Sequence, residues 1–270
     1  MRKLYFLGPS GTYSEIGAEK IANVLNEKVE LTPISTIVKI IEMVEKTGNY
    51  AVIPIENSFE GIVRPTIDSL LDACVQINLQ TEIEIKHCLF SKGKKENIKH
   101  IISHPQALAQ CSKYILNNFD EKIELIEAKS TAAAAKELLF KNISYAAISS
   151  FEIGNKLNYN LIDANIGNIQ DNKTRFILVS KGDIDFGKKT RTSIVFNTKN
   201  QSGALLEVLQ IFKKYDLNLV YIESRPSKKV FGEYNFFVDI DKGYSEILLA
   251  LSEIRKACNL FKFLGSYPSV

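Results

Sequence analysis

The 270 residues contain no tryptophan, two methionines, three histidines and four cysteines. The shortage of histidine and cysteine narrows the chemistry. None of Cys74, Cys88, Cys111 and Cys258 forms a C-x-x-C pair, and none lies near a histidine at zinc-ligand spacing. His87 and Cys88 are adjacent, but neighbours on a strand point to opposite faces. The thiols are therefore expected to be reduced and buried in a cytoplasmic protein. No apolar run approaches the length of a membrane span. The basic start, Met1-Arg2-Lys3, is followed only by Leu4–Leu7 before Gly8-Pro9, too short for a signal-peptide core. A dominant charge is missing too. Lys and Arg total 34 against 31 Asp and Glu, and a net charge of +3 does not demand nucleic acid. There is no Ser–His–Asp order, no Walker loop and no dinucleotide fingerprint. The expectation is a protein with no metal and no cofactor, acting on neither nucleic acid nor membrane.

What is present is alternation. Leu4–Leu7, Tyr50–Ile53, His100–Ser103, Glu124–Ala128 and Tyr145–Ile148 look like buried strands. Between them, Ile37, Ile40, Ile41 and Val44 fall at helical spacing, as do Ala107, Leu108, Cys111 and Ile115. Strands alternating with helices predict an α/β domain with a largely parallel sheet, which binds ligands at the carboxyl ends of its strands. Polar Lys181–Lys189 reads as a linker. Beyond it the spacing predicts strand 193–197, helix 205–215, strands 217–224 and 234–240, helix 245–256 and strand 260–264. That β-α-β-β-α-β order is ferredoxin-like.

Four polar turns follow strands of the first domain, and a fifth motif precedes one. Gly8-Pro-Ser-Gly-Thr-Tyr-Ser-Glu15 has Thr12 and Glu15 at capping-box spacing, and Thr12 and Ser14 are hydroxyls at a helix N-terminus, a natural anion seat. Glu56, Asn57 and Ser58 follow a strand and offer neutral donors, with Gly61 permitting close backbone approach. Ser103-His104-Pro105-Gln106 starts a helix, Pro105 fitting its first position, and the positive helix end favours neutral His104. Ser130 and Thr131 cap a run of four alanines. Thr174-Arg175-Phe176 opens another strand, and an arginine beside a threonine suits a carboxylate. Each has an ordinary structural explanation, as a cap, turn or surface arginine.

Together the five motifs, in this order, resemble the prephenate dehydratase family over the whole chain, with Thr174-Arg175-Phe176 matching its catalytic signature. The C-terminal part resembles an ACT domain, through Gly203-Ala204-Leu205, Glu223-Ser224-Arg225-Pro226, Tyr234–Asp239 and Leu264–Pro268. The resemblance implies a two-lobed, periplasmic-binding-protein-like catalytic domain over 1–181, lobe 1 being 1–79 plus 160–181 and lobe 2 being 80–159. An ACT regulatory domain would span 190–270. It implies conversion of prephenate to phenylpyruvate, inhibited by L-phenylalanine bound where the Gly203–Leu205 and Glu223–Pro226 loops meet across the subunit interface of a homodimer or homotetramer. Thr174 is assigned to the leaving hydroxyl, Arg175 to a carboxylate clamp, and Phe176 to the same catalytic motif. Thr12, Ser14, Glu56, Asn57, Ser58, His104, Gln106, Ser130 and Thr131 are assigned to substrate binding, with Glu56 and His104 as candidate acids. With its first strand at residue 4, the chain is expected to lack the chorismate mutase segment that some family members carry. Arogenate dehydration and a non-catalytic amino-acid sensor are the competing readings.

Overall fold

The computed structural model describes residues 1–227 and 232–270. The first lobe contains β1 (Arg2–Leu7), α1 (Tyr13–Ala22), β2 (Val29–Ile34), α2 (Ile37–Thr47), β3 (Tyr50–Asn57), β4 (Gly61–Ile62), α3 (Arg64–Asp72) and β5 (Gln76–Glu84). The second contains β6 (Cys88–Ser91), β7 (His100–Ser103), α4 (Pro105–Gln110), α5 (Ser112–Asn118), β8 (Glu124–Glu127), α6 (Thr131–Glu137), β9 (Tyr145–Ser149), α7 (Phe151–Lys156) and β10 (Asn160–Asp163). β11 (Lys173–Ser180) then returns to the first lobe. The C-terminal domain is β12 (Arg191–Asn197), α8 (Ala204–Lys214), β13 (Leu219–Pro226), β14 (Tyr234–Ile240), α9 (Tyr244–Ala257) and β15 (Leu260–Tyr267).

Local sequence explains the elements that matter. α2 buries Ile37, Ile40, Ile41 and Val44 on one stripe, each worth about 1.5–3 kcal/mol of burial. Thr36 caps it by accepting from the Lys39 N–H, and Gly48 ends it at φ +69°. α1 starts after extended Thr12, but the expected capping box is displaced by one residue. The Glu15 carboxylate accepts from the Gly11 N–H at 2.5 Å, and the Thr12 hydroxyl donates back to the Pro9 carbonyl. Gly17 faces the sheet, where a Cβ would lie 3.0 Å from the Phe176 ring, so glycine lets α1 settle directly onto β11.

The first sheet has order β2-β1-β3-β11-β5, with β4 paired to β3. β1 runs parallel to β2 and β3, while β11 is antiparallel to both its neighbours, β3 and β5. The second sheet has order β10-β6-β9-β7-β8. The chain therefore crosses between lobes after Glu84 and again between Asp163 and Lys173. The expected boundaries at 79/80 and 159/160 fall short. β5 pairs with β11 as far as Glu84, and β10 pairs with β6 of the second lobe.

The C-terminal sheet is antiparallel, β13-β14-β12-β15, in the expected ferredoxin-like order. Alternation divides its faces. Ile194, Phe196, Val238 and Ile240 pack under α8 and α9 with Val208, Phe212, Ile247 and Ile254. Val195, Phe237, Leu264 and Tyr267 point the other way and join the first-lobe core beside Ile77 and Val179. At Gly265, with φ +149°, an added Cβ would sit 2.1 Å from the Ile77 carbonyl oxygen, so β15 approaches β5 backbone to backbone. Residues 268–270 then run along β5, where the Gln80 N–H donates to the Pro268 carbonyl and the Val270 N–H to the Gln80 carbonyl.

The thiols depart from expectation at one position. Cys88 and Cys111 are buried and Cys258 partly so, but Cys74 is exposed at the end of α3. Burial pushes the Cys111 thiol up to about 12, which leaves it unreactive. Among the described residues no helix is long and apolar enough to cross a membrane.

Candidate active site

Between the lobes lies a cleft of ≈ 270 Å³, at the small end of ordinary ligand pockets. Strand ends and helix starts build it, which is where an open α/β sheet is expected to bind. The β1–α1 turn brings Thr12, Tyr13 and Ser14, and β3 ends in Asn57. The opposite lobe brings His104 and Gln106 at the start of α4, Gln110 at its end, and Lys129, Ser130 and Thr131 at the start of α6. β11 crosses the floor with Thr174 and Phe176.

The helix caps behave as their sequences suggest. His104 Nδ1 accepts from the Gln106 N–H at 3.3 Å, so that nitrogen carries no proton. The Ser130 hydroxyl accepts from the Ala133 N–H at 3.0 Å. Lys129 is the one lysine or arginine among the described lining residues.

Thr174 sits within a chain of amides. Asn57 Oδ1 accepts from the Phe59 and Glu60 N–H groups, each at 3.0 Å, which fixes the orientation of its amide. Asn57 Nδ2 then donates to Thr174 Oγ1 and to Asn172 Oδ1, both at 2.9 Å. Asn172 Nδ2 donates to Gln110 Oε1 at 3.4 Å, and His87 Nε2 donates to the same oxygen at 2.8 Å. Because Asn57 donates to the Thr174 oxygen, the threonine's own proton is left for another acceptor.

His87 is buried in the crossover after β5, and its Nδ1 finds no partner among the described residues. Burial pulls its pKa below the ordinary 6.5, against the opposing hydrogen bond to Gln110, so the imidazole is neutral. Tyr13 donates to the Lys86 carbonyl at 2.6 Å, and burial, followed by the Glu152 charge, pushes its phenol upward. Tyr13 is thus a proton-bearing wall rather than an acid at neutral pH.

Thr12, Ser14, Asn57, His104, Gln106, Ser130, Thr131, Thr174 and Phe176 meet at one cleft. Arg175, Glu56 and Ser58 do not. Thr174 and Phe176 face the cleft, so the intervening Arg175 faces the opposite side of the sheet, where its Nε donates to Glu56 Oε2 at 3.0 Å. Ser58 Oγ accepts from the Lys173 N–H at 2.9 Å and donates to Asn172 Oδ1 at 3.3 Å, bracing the β3–β11 edge. The expected carboxylate clamp at Arg175 and acid at Glu56 are therefore corrected. Both side chains are engaged behind the sheet.

Five polar side chains of the cleft were not among the expected site residues: Tyr13, His87, Gln110, Lys129 and Asn172. Gln110 carried a usable signal, lying four residues after Gln106 and so on the same helix face. His87 and Asn172 carried none, being single polar residues in the two crossovers.

The residues expected to form the effector site lie on two elements. Gly203, at φ +84°, precedes α8, which begins with Ala204 and Leu205. Glu223, Ser224, Arg225 and Pro226 form the end of edge strand β13, and Arg225 Nη2 lies 3.2 Å from Asp68 of α3.

The model of the prephenate dehydratase family matches residues 4–184, and that of the ACT domain matches residues 192–259. A prephenate dehydratase of Methanocaldococcus jannaschii is 36% identical over 266 residues, covering 96% of each chain. A bifunctional chorismate mutase/prephenate dehydratase of Aquifex aeolicus is 35% identical, covering 98% of this chain and 73% of the relative. Among solved structures, a prephenate dehydratase from Arthrobacter aurescens in complex with L-Phe superposes with a TM-score of 0.87 at 30% identity. It covers 98% of this chain and 89% of its own.

Proposed function

The chain belongs to the prephenate dehydratase family, and from that premise we propose how its cleft converts prephenate to phenylpyruvate. Prephenate carries a ring carboxylate, a pyruvyl carboxylate and a hydroxyl on the opposite ring carbon. Loss of carbon dioxide supplies the electron pair that expels hydroxide, and a proton converts that hydroxide to water as the ring becomes aromatic. Aromatisation drives the reaction. The protein's task is to hold two anions, support charge on the departing oxygen and exclude bulk water.

One observation carries the reading: the Thr174 hydroxyl lies on the cleft floor with its oxygen already accepting from Asn57 Nδ2 at 2.9 Å. Its proton is thereby left for a substrate oxygen, and the Asn57 donor polarises it further. A threonine hydroxyl does not surrender its proton at neutral pH, so it acts as an oriented donor to the leaving oxygen. With Arg175 turned away, Lys129 and the positive N-terminus of α1 beside Ser14 are assigned to the substrate carboxylates. Gln106, Gln110, Ser130 and Thr131 supply neutral donors, and His104 an unprotonated nitrogen. Phe176 and Tyr13 wall off water.

In the C-terminal domain the same premise assigns L-phenylalanine as inhibitor, supported by the L-Phe complex of the Arthrobacter relative. We assign its site to Gly203–Leu205 of one protomer and Glu223–Pro226 of another, in a cytoplasmic homo-oligomer. The test follows phenylpyruvate formation from prephenate, with arogenate as a parallel substrate and with phenylalanine added. Thr174→Ala is expected to lower kcat about a hundredfold with KM little changed. A near-normal kcat removes Thr174 from the mechanism.

A further inference from the structure

Arg175 sits one residue from the Thr174 hydroxyl, yet its side chain ends in the other domain. It is 5% exposed and reaches three strands at once. Its Nε donates to Glu56 Oε2 on β3 at 3.0 Å, Nη1 to Gln80 Oε1 on β5 at 3.1 Å, and Nη2 to Asp239 Oδ2 on β14 at 2.6 Å. Asp239 has no exposed surface. Its second oxygen accepts from the Ser193 hydroxyl, which also hydrogen-bonds the Tyr267 hydroxyl, and Arg191 Nη1 lies 3.9 Å from Oδ2, the oxygen Arg175 holds.

A buried ion pair is a costly way to join two domains. Apolar contacts of the same volume serve stability as well or better, because desolvation consumes the Coulomb gain. Here the apolar contacts already exist, since Val195, Phe237, Leu264 and Tyr267 share a core with Ile77 and Val179. What the ion pair adds is direction. It fixes one point of β11 against one point of β14. That point coincides with an irregularity in the strand, where the β11–β3 register shifts between Arg175 and Phe176. Such bulges re-aim neighbouring side chains. The extra residue is Ile55 of β3, opposite the step from Arg175 to Phe176, and Thr174 is the next residue of β11 before Arg175, so its orientation depends on where Arg175 is held. On the other side, β14 pairs with β13 along Glu223–Pro226, Ser224 lying opposite Phe236. A displacement of β13 is thus carried by β14 to Asp239, and by Asp239 to Arg175.

We propose that Arg175 is a positioning residue whose ion pair with Asp239 sets the Thr174 hydroxyl and is the contact through which the C-terminal domain acts on the cleft. The inference rests on the reading above, in which Thr174 serves the leaving group and the C-terminal domain senses phenylalanine. Coupling of this kind requires that the effector bind the two arrangements unequally.

The full-length chain tests it. Arg175→Lys and Asp239→Asn are compared with wild type for kcat, KM, phenylalanine inhibition, phenylalanine binding by calorimetry and melting temperature. Arg175→Lys is expected to lower kcat at least tenfold while KM moves less than threefold. Asp239→Asn is expected to bind phenylalanine within threefold of wild type but to lose at least half of the maximal inhibition. A tenfold rise in KM with kcat intact in Arg175→Lys would return Arg175 to the role of carboxylate clamp and overturn the proposal. Full inhibition in Asp239→Asn overturns the coupling. Should Asp239→Asn fail to fold, Ser193→Ala removes one hydrogen bond to Asp239 and is held to a threefold shift in half-inhibiting phenylalanine at unchanged binding. A wild-type chain that turns over prephenate but ignores phenylalanine sinks the sensor reading, and the coupling with it, while Arg175→Lys still decides the positioning role.

Discussion

Replacing Asn57 by aspartate changes one atom of the cleft and reverses its logic. The new carboxylate keeps an acceptor for the Phe59 and Glu60 N–H groups, so the turn survives. The atom facing Thr174 Oγ1 at 2.9 Å changes from donor to acceptor. Thr174 then donates its proton to the new carboxylate, and nothing is left for the departing oxygen. The loss equals that of one preorganised donor, about 3–4 kcal/mol or 10²–10³ in kcat, the same as for Thr174→Ala. Removing both should cost little more than removing either, because they act as one unit. The assay is steady-state phenylpyruvate formation by Asn57→Asp, Thr174→Ala and the double variant, with melting curves as a check on folding. Multiplicative losses in the double variant, near 10⁴ or more, would show two independent contributions and refute the shared-donor argument. So would a kcat within threefold of wild type in Asn57→Asp alone.

Two other predictions concern the frame around that pair. Gly265→Ala places a Cβ 2.1 Å from the Ile77 carbonyl oxygen at φ +149°, so overpacking and backbone strain together should cost about 2–5 kcal/mol. At about 2–4 °C per kcal/mol the melting temperature should fall by about 4–20 °C, and a shift under 2 °C would contradict the backbone contact between β15 and β5. His87 has its pKa lowered from 6.5 by burial, so the unfolded chain binds more protons than the folded one as pH drops below neutrality. Stability from neutral His87 is therefore complete above about 6.5 and is lost below it, down to the folded pKa. His87→Gln should flatten the fall in melting temperature between pH 7.5 and 5.5, and an unchanged slope would show that His87 does not titrate in that window.

Much of this architecture is legible in sequence because it is local. The Ile37, Ile40, Ile41 and Val44 stripe and the βαββαβ order each follow from near neighbours along the chain. Most of the cleft is legible for the same reason, since its hydroxyls cluster where strands hand over to helices. The clamp expected at Arg175 neglects a rule equally visible in sequence. The alternation that separates His87 from Cys88 also separates Thr174 from Arg175, and adjacent residues of one strand do not line one pocket. The partner of Arg175 was beyond reach, because Asp239 lies 64 residues away in another sheet. The crossovers are expected too early for a related reason. The length of β5 is set by its pairing with β11, and nothing near Glu84 marks its end.

The position of β11 bears on how the chain folds. Before residue 173 emerges from the ribosome, β3 and β5 have no strand between them, and the first sheet is split down its middle. The second lobe, by contrast, draws all five strands from one continuous stretch, 88–163, and its pairings are shorter in range than those of β11. Sequence separation sets the order of assembly, so the inserted lobe should consolidate first and the outer one wait for its central strand. That late strand carries Thr174. The first lobe closes and receives the Thr174 hydroxyl in the same event, so no nascent species can have a finished first sheet and an empty cleft floor.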